Sequence, residues 1–412
     1  MPPHRSDLQI RGRCRRSPVS SRGRLGGAAK WGAMSESSEP AIRSGPLPER
    51  VTVIPDDVAD AMHRLRRAAV SENTRAAQIS DWTIFGRWCD RVGEPPLPAT
   101  PELVGWFLTE KSAEVRPDGR PAYAPSTMTR WVASINTIHS LAGHPKPGQA
   151  SAVREILRGI ARTRTTPPAR REPLLTDDVR IIVETMRAGA DRWPERAAER
   201  RDSALLLTGL TGAMRRSELS GLLVSDVRPH RADGLYVTIR RSKTDQAAAG
   251  RTVTLPYGSS PVTCPVCAYR RWREVVDAWD AGGRQAVAAL LDEDDPHTEH
   301  RCRGLTATTV GAPRPLFRSV HRTGSLGEAA LSGQAIASMV QRRARQAGYA
   351  DEFVAMLGGH SLRAGFVTQA VRNAASAEQI MTQSGHTDQR MIALYSRQHA
   401  GLHGNAVTAL GL

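Results

Sequence analysis

The sequence predicts a mainly α-helical protein with a small antiparallel β-sheet. Apolar residues recur at three- and four-residue steps across most of residues 55–160, the period of an amphipathic helix. Two short β-branched runs, LYVTIRR at 235–241 and RTVTLP at 251–256, flank a Gly/Ala/Gln turn and read as a hairpin. Helical periodicity then returns at 268–279 and 332–346.

Residues 1–50 are rich in Arg, Ser, Gly and Pro without hydrophobic period and read as disordered. Met34 opens MSESSEP, a plausible alternative start. The arginine-rich stretch before it is either an upstream extension, the favoured reading, or a basic DNA-binding arm. Residues 51–165 form a helical domain. Ser71 is placed to cap a helix carrying Ile79, Trp82, Phe85 and Cys89. Pro101 opens a second with Leu103, Val104, Trp106 and Phe107. Ser126 caps a third with Met128, Trp131, Val132, Ile135 and Ile138, and residues 152–160 give a fourth, shorter one. Adjacent prolines and arginines make 166–175 a stiff, polar linker. The second domain, 176–412, opens with Thr176 as N-cap, and Asp177 and Asp178 suit the first turn. A buried helix through Ala204, Leu205, Leu206 and Leu207 precedes the hairpin. Residues 281–314 are polar and read as an irregular surface insertion.

The length suffices for two or three domains with cores. No apolar run approaches the roughly 18 residues that span a bilayer. The basic N-terminus lacks the apolar segment of a secretory signal. Five scattered cysteines do not make a disulfide framework, which fits a reducing cytoplasm. The net charge of +16 points to a polyanionic partner, most simply nucleic acid. Of 57 basic residues only four are lysine: Lys30, Lys111, Lys146 and Lys243. A compositional bias toward arginine accounts for that choice, but not for the excess over 41 acidic residues.

Six polar residues in the second half suit cutting a DNA phosphodiester. They are Arg215 in TGAMRRSELSGLLVSDV, Lys243 in VTIRRSKTDQ, His360 and Arg363 in GGHSLRAGF, and His386 and Tyr395 in SGHTDQRMIALYSR. Such chemistry needs a nucleophile, cations on the non-bridging oxygens, and a proton for the leaving 5′ oxygen. Tyr395 can be the nucleophile, holding the bond energy as a covalent 3′-phosphotyrosine. Arginine forks donate bidentately and are never neutral at working pH, which suits Arg215 and Arg363 to a phosphate clamp. His360 and Arg363 stand three residues apart and share a helix face. Lys243 is a lysine where nearly every other cation is arginine, and lysine can give up a proton where arginine cannot. It is the candidate general acid. His386 is a candidate donor to a non-bridging oxygen. Arginines and histidines supply the charge, so the chemistry calls for no metal and no cofactor.

These four blocks, in this order, resemble the catalytic domain of the tyrosine recombinases, the phage-integrase family. The resemblance is good over about 176–397 and looser over 51–164. It implies an N-terminal helical core-binding (SAM-like) bundle followed by a tyrosine-recombinase catalytic domain. In the family the catalytic arginine stands three residues before a glutamate, which selects Arg215 over Arg216 and gives Glu218 a supporting role. The resemblance implies a site-specific recombinase or integrase of mobile elements. It would act on double-stranded DNA as a homotetramer on two sites, its two domains clamping the duplex, with accessory DNA-bending or directionality proteins as further partners. No membrane partner is expected, and the location is the cytoplasm, at the nucleoid. A topoisomerase IB-like or non-catalytic DNA-binding protein of the same fold is the alternative. Thr127, Thr129 and Arg130, interleaved with the apolar stripe of their helix, are candidate DNA contacts.

The pair in CPVC, Cys264 and Cys267, with HTEHRC at 297–302, invites a zinc reading. The family has a similar Cys-Pro segment opening a helix without metal, and the expectation is therefore no metal here.

Overall fold

A computed structural model describes residues 54–164, 171–240, 250–292, 299–304, 314–399 and 410. The segment 1–50, residues 166–170 of the linker and Lys243 lie outside the described residues. The chain divides into two compact units, Met1–Leu97 and Pro98–Leu412.

The first unit holds α1 (Asp56–Ala68) and α2 (Glu72–Val92). Asp56 and Asp57 open α1 and Arg66 and Arg67 close it, each sign set against the opposite end of the helix dipole. Ser71 caps α2 as expected, its Oγ accepting from the Thr74 N–H at 3.2 Å. Phe85, Trp88 and Cys89 are buried, whereas Ile79, expected in the same stripe, is 60% exposed.

The second unit begins with α3 (Pro101–Ala113), α4 (Pro125–Leu141) and α5 (Ser151–Thr163). Thr100 caps α3 and Pro101 takes its first position. Proline sets the start of α4 as well. Pro125 is the first helical residue and Ser126 lies inside the turn, not at the cap. Trp131 of α4 is buried and meets Phe107 and Tyr123 with ring centroids 5.3 and 4.7 Å away.

Then come α6 (Thr176–Ala188) and α7 (Trp193–Thr211). Thr176 is the first helical residue of α6, and the cap position belongs to Leu175. The carboxylate of Asp178 reaches back to accept the Leu175 N–H at 2.8 Å, so the expected capping hydroxyl is not needed. α7 is buried over most of its length, apolar and charged residues alike. Its charges are paired: Glu199 with Arg271 at 3.0 Å and Arg187 at 3.4 Å, and Asp202 with Arg343 at 2.7 Å. Burial of these carboxylates is tolerable only because each keeps such partners.

A short α8 (Arg216–Ser220) leads to β1 (Val227–His230), β2 (Gly234–Ile239) and β3 (Arg251–Leu255), an antiparallel sheet in that order. Val237 stands opposite both Val227 and Val253. Leu235, Val237, Ile239, Val253 and Leu255 put their alternate side chains into the core.

The long α9 (Pro265–Asp292) corrects the expectation of an irregular stretch from residue 281. The helix breaks at Gly282 and Gly283, the latter at φ 59°, and resumes. AVAALL (286–291) consists of apolar residues, most of them strong helix formers, and it buries Val287 and Leu291 one turn apart. Two further strands, β4 (Arg318–Val320) and β5 (Leu326–Ala330), form a pair that the sequence did not announce.

The chain ends in α10 (Gly333–Gln346), α11 (Asp351–Met356), α12 (Ser361–Arg372), α13 (Ala377–Ser384) and α14 (Gln389–His399). α12 lies so close to the segment before α6 that a Cβ on Gly365 would stand 1.8 Å from the Leu174 carbonyl oxygen. Gly365→Ala should therefore destabilise the protein by about 1–3 kcal/mol, as overpacking does. Gly159 of α5 has nothing within 4 Å of such a Cβ, and Gly159→Ala should be neutral or stabilising by up to about 1 kcal/mol. Urea unfolding of the two variants checks the difference in sign.

Candidate active site

Three of the four sequence blocks meet at one side chain. Arg363, in the first turn of α12, is 1% exposed. Its Nη1 donates to the Ala213 carbonyl at 2.7 Å, in the turn before Arg215, and to the Ser384 carbonyl at 2.5 Å, next to Gly385 and His386. Its Nη2 is buried and has no hydrogen-bond acceptor among the described residues. Burial, then the neighbouring Arg215, lowers the Arg363 pKa to about 10. It stays charged at neutral pH.

Arg215 sits where α8 begins, and Glu218 is one turn on. The Glu218 side chain is fully buried and takes three donors. Oε2 accepts the Arg215 backbone N–H at 2.8 Å, and Oε1 accepts from Arg215 Nη1 at 2.7 Å. The third donor is Arg251 Nη2 at 3.3 Å. Glu218 therefore fixes the arginine through main chain and side chain together, which bears on the choice of Arg215. Arg216 is exposed instead, and its side chain lies against Gly359 and Gly333.

Arg251 was missed in the sequence. It heads β3, eight residues after Lys243 in the sequence, and its Nη1 donates to the Gln383 carbonyl at 2.8 Å. Burial and then Arg215 lower its pKa, opposed by Glu218. Nothing local separated it from the other arginines, because its role comes from a contact 132 residues away in sequence.

The last block supplies His386 and Tyr395. Gly385 ends α13 at φ 65°, the left-handed conformation glycine adopts without cost, and turns the chain toward α14. Ser384 Oγ donates to the Ile380 carbonyl at 2.6 Å and lies 2.7 Å from His386 Nδ1. With its one proton committed, that hydroxyl accepts from Nδ1–H, which leaves Nε2 as the bare nitrogen. Burial, followed by Arg363 and Arg215, lowers the His386 pKa to about 4. Tyr395 lies on α14, which packs on α12 and α13 through Ile392, Val367 and Ile380. Its Oη is 2.9 Å from His360 Nε2. His360 is the residue just before α12, not on the helix face as the three-residue spacing suggested, and it is exposed at its rim. Protein crowded around the ring, then Arg363 and Arg215, lowers its pKa below the ordinary 6.5.

Arg215, Glu218, His360, Arg363, His386 and Tyr395 thus form one cluster, with Arg251 added. Lys243 lies outside the described residues. Thr127, Thr129 and Arg130 are elsewhere, in the first turns of α4. Thr129 and Arg130 are exposed and Thr127 is half-buried.

No family model matches the chain. The chain is 28% identical over 354 residues to an integrase/recombinase XerD homolog of Selenomonas ruminantium, covering 85% of this chain and 88% of that protein. It is 25% identical over 341 residues to the recombinase Cre of Escherichia phage P1, covering 80% and 85%. Among solved structures it aligns with residues 82–397 of the Tn1549 transposon integrase in complex with transposon right end DNA, at TM-score 0.47 and 12% identity, covering 81% and 92%. It also aligns with the XerA recombinase at TM-score 0.35 and 14% identity, covering 86% and 98%.

The histidines make a test of the geometry possible without any substrate. An unfolded imidazole binds a proton near pH 6.5, while His386 binds one only near pH 4. Between those values the unfolded state holds more protons, so stability falls as pH falls. His386→Gln should lessen that loss by an amount on the order of 1 kcal/mol at pH 5, after discounting for partial exposure. Denaturant midpoints at pH 7 and pH 5 for both proteins check it.

Proposed function

We propose, the chain being a tyrosine recombinase by its sequence likeness to the recombinases above, that it cleaves and rejoins DNA through a covalent 3′-phosphotyrosine on Tyr395. The observation that carries this reading is the Tyr395 hydroxyl 2.9 Å from His360 Nε2, in the cluster that Arg363 ties together. A lowered pKa keeps His360 neutral at pH 7, and a neutral imidazole can accept the phenol proton as the oxygen attacks phosphorus. Arg215 and the spare Nη2 of Arg363 hold the non-bridging oxygens. That Nη2 is sealed from solvent, so the phosphate reaches it only when the side chains above it shift. His386 can donate from Nε2 once protonated, and an incoming phosphate anion raises its pKa toward that state. Lys243 protonates the leaving 5′ oxygen. Each step exchanges one phosphoester for another, so no external energy source enters.

The partner is double-stranded DNA, and no helix among the described residues is long and apolar enough to cross a membrane. Strand exchange between two sites calls for four copies of the chain. Thr127, Thr129 and Arg130 are the groove-facing candidates of a DNA-binding region at 51–165. The reaction takes place at the nucleoid in the cytoplasm.

Tyr395→Phe should bind DNA as well as the parent but form no covalent adduct on a nicked suicide substrate. A persistent adduct in that variant would falsify the assignment. Arg215→Lys and Arg363→Lys should each slow single-turnover cleavage about 10²–10³-fold, the cost of losing one oxyanion donor. Rates within tenfold of the parent in both would take them out of the site.

A second substrate isolates the acid. Lys243→Ala should slow cleavage of ordinary DNA by about 10²–10⁴-fold. A substrate with sulfur at the bridging 5′ position should restore most of that loss, since a thiolate leaves without a proton. Arg363→Ala should gain no comparable rescue. An unchanged Lys243→Ala defect on sulfur would move the acid's role to His360, His386 or water.

A further inference from the structure

Cys264, Cys267, His300 and Cys302 bring their ligand atoms within 4.8 Å of one another, two close pairs with Cys267 and His300 33 positions apart, and they have no role in the chemistry above. Cys264 immediately precedes α9 and Cys267 lies in its first turn, while His300 and Cys302 belong to the segment that follows that helix. His300 Nδ1 is 3.5 Å from Cys267 Sγ and 3.7 Å from Cys302 Sγ. Tetrahedral zinc, with Zn–S about 2.3 Å and Zn–N about 2.0 Å, sets nitrogen and sulfur roughly 3.5 Å apart and two sulfurs roughly 3.8 Å apart. The spacing therefore fits one metal ion at the centre of the four.

Two further features favour thiolate ligands over ordinary buried thiols. The backbone N–H groups of Gly258 and Cys267 both point at Cys264 Sγ, at 3.3 and 3.5 Å. Donors converging on a sulfur stabilise its anionic form. Three thiolates and one imidazole around a divalent ion also leave one net negative charge, and the cleft beside Cys267 is lined by three arginines, Arg270, Arg271 and Arg301, against two glutamates, Glu274 and Glu299. All three cysteines are nearly or fully buried and unbridged, while His300 is exposed.

We propose that these four residues form a structural zinc site of the Cys3His class. This reverses the expectation of no metal drawn from the sequence, where CPVC looked like a plain helix start. The site would staple the segment after α9 to the beginning of that helix. That segment leads to Arg314 and Leu316, which hydrogen-bond to Val224 and Leu222 just beyond Glu218. Zinc would thus brace the frame of the active site while taking no part in cleavage. Four protein ligands leave no position open for a substrate.

Elemental analysis of the full chain tests this, after expression in zinc-supplemented medium and purification under reducing conditions. The expected content is about one zinc per chain. Cys302→Ser should lose it, and His300→Cys, which restores four ligands, should keep it. Loss in the first with retention in the second is not what misfolding alone produces. Cobalt added to metal-stripped protein should give tetrahedral visible bands and near-ultraviolet thiolate charge-transfer bands, both absent in Cys264→Ser. The proposal is overturned if the parent chain holds less than about a tenth of an equivalent and shows no such cobalt bands. A disulfide among these cysteines in the reduced preparation overturns it equally, and stoichiometric iron would overturn the choice of zinc.

Discussion

The guanidinium of Arg363 is the joint on which this site is built. One nitrogen bonds two carbonyls from distant parts of the chain, Ala213 before α8 and Ser384 at the end of α13. α12 carries the arginine, so three helical elements are located by two short hydrogen bonds. Hydrogen bonds to a charged donor are worth more than neutral ones, and here they are shielded from water. The same side chain keeps a second buried nitrogen, Nη2, without an acceptor among the described residues, so the anchoring bonds leave that nitrogen uncommitted.

Around that joint the protein gathers positive charge faster than it neutralises it. Arg215, Arg251 and Arg363 surround the carboxylate of Glu218. The excess shows in the two histidines, whose pKa values fall below the ordinary value with burial first and the arginines next among the causes. A site with this balance is short of one anion. Any anion entering it would relieve repulsion already present between the cations.

Much of this was legible in the sequence. Local chemistry marks the helix starts at Ser71 and Pro101, the hairpin, and the polar residues in their blocks, because each depends on neighbours within a few positions. The errors came where tertiary contacts decide. Asp178 took over the capping role assigned to Thr176, and Pro125 displaced Ser126. A glycine break let α9 continue where polarity suggested a loop. Arg251 was out of reach for the same reason: its partners are many residues away, and spacing along the chain does not encode which loops return to the same place. The cysteine–histidine cluster was in view as CPVC with HTEHRC, but spacing alone could not show that the two pairs meet, and the family resemblance argued against metal.

The backbone at Ala213 has a consequence for how this site can be repaired. Its φ of 48° is left-handed, a conformation costing an L-residue roughly 1–2 kcal/mol, and its carbonyl is one of the two held by Arg363. Remove the arginine and the tie on that strained turn is gone, two residues from Arg215. Free guanidinium ion from solution could stand in for a truncated Arg215, whose side chain is 16% exposed. It has no such route to the sealed position of Arg363, and a turn already relaxed would not be waiting for it. The two arginines differ in this respect: Arg215 is reachable from solvent, while Arg363 is buried in the turn that it holds.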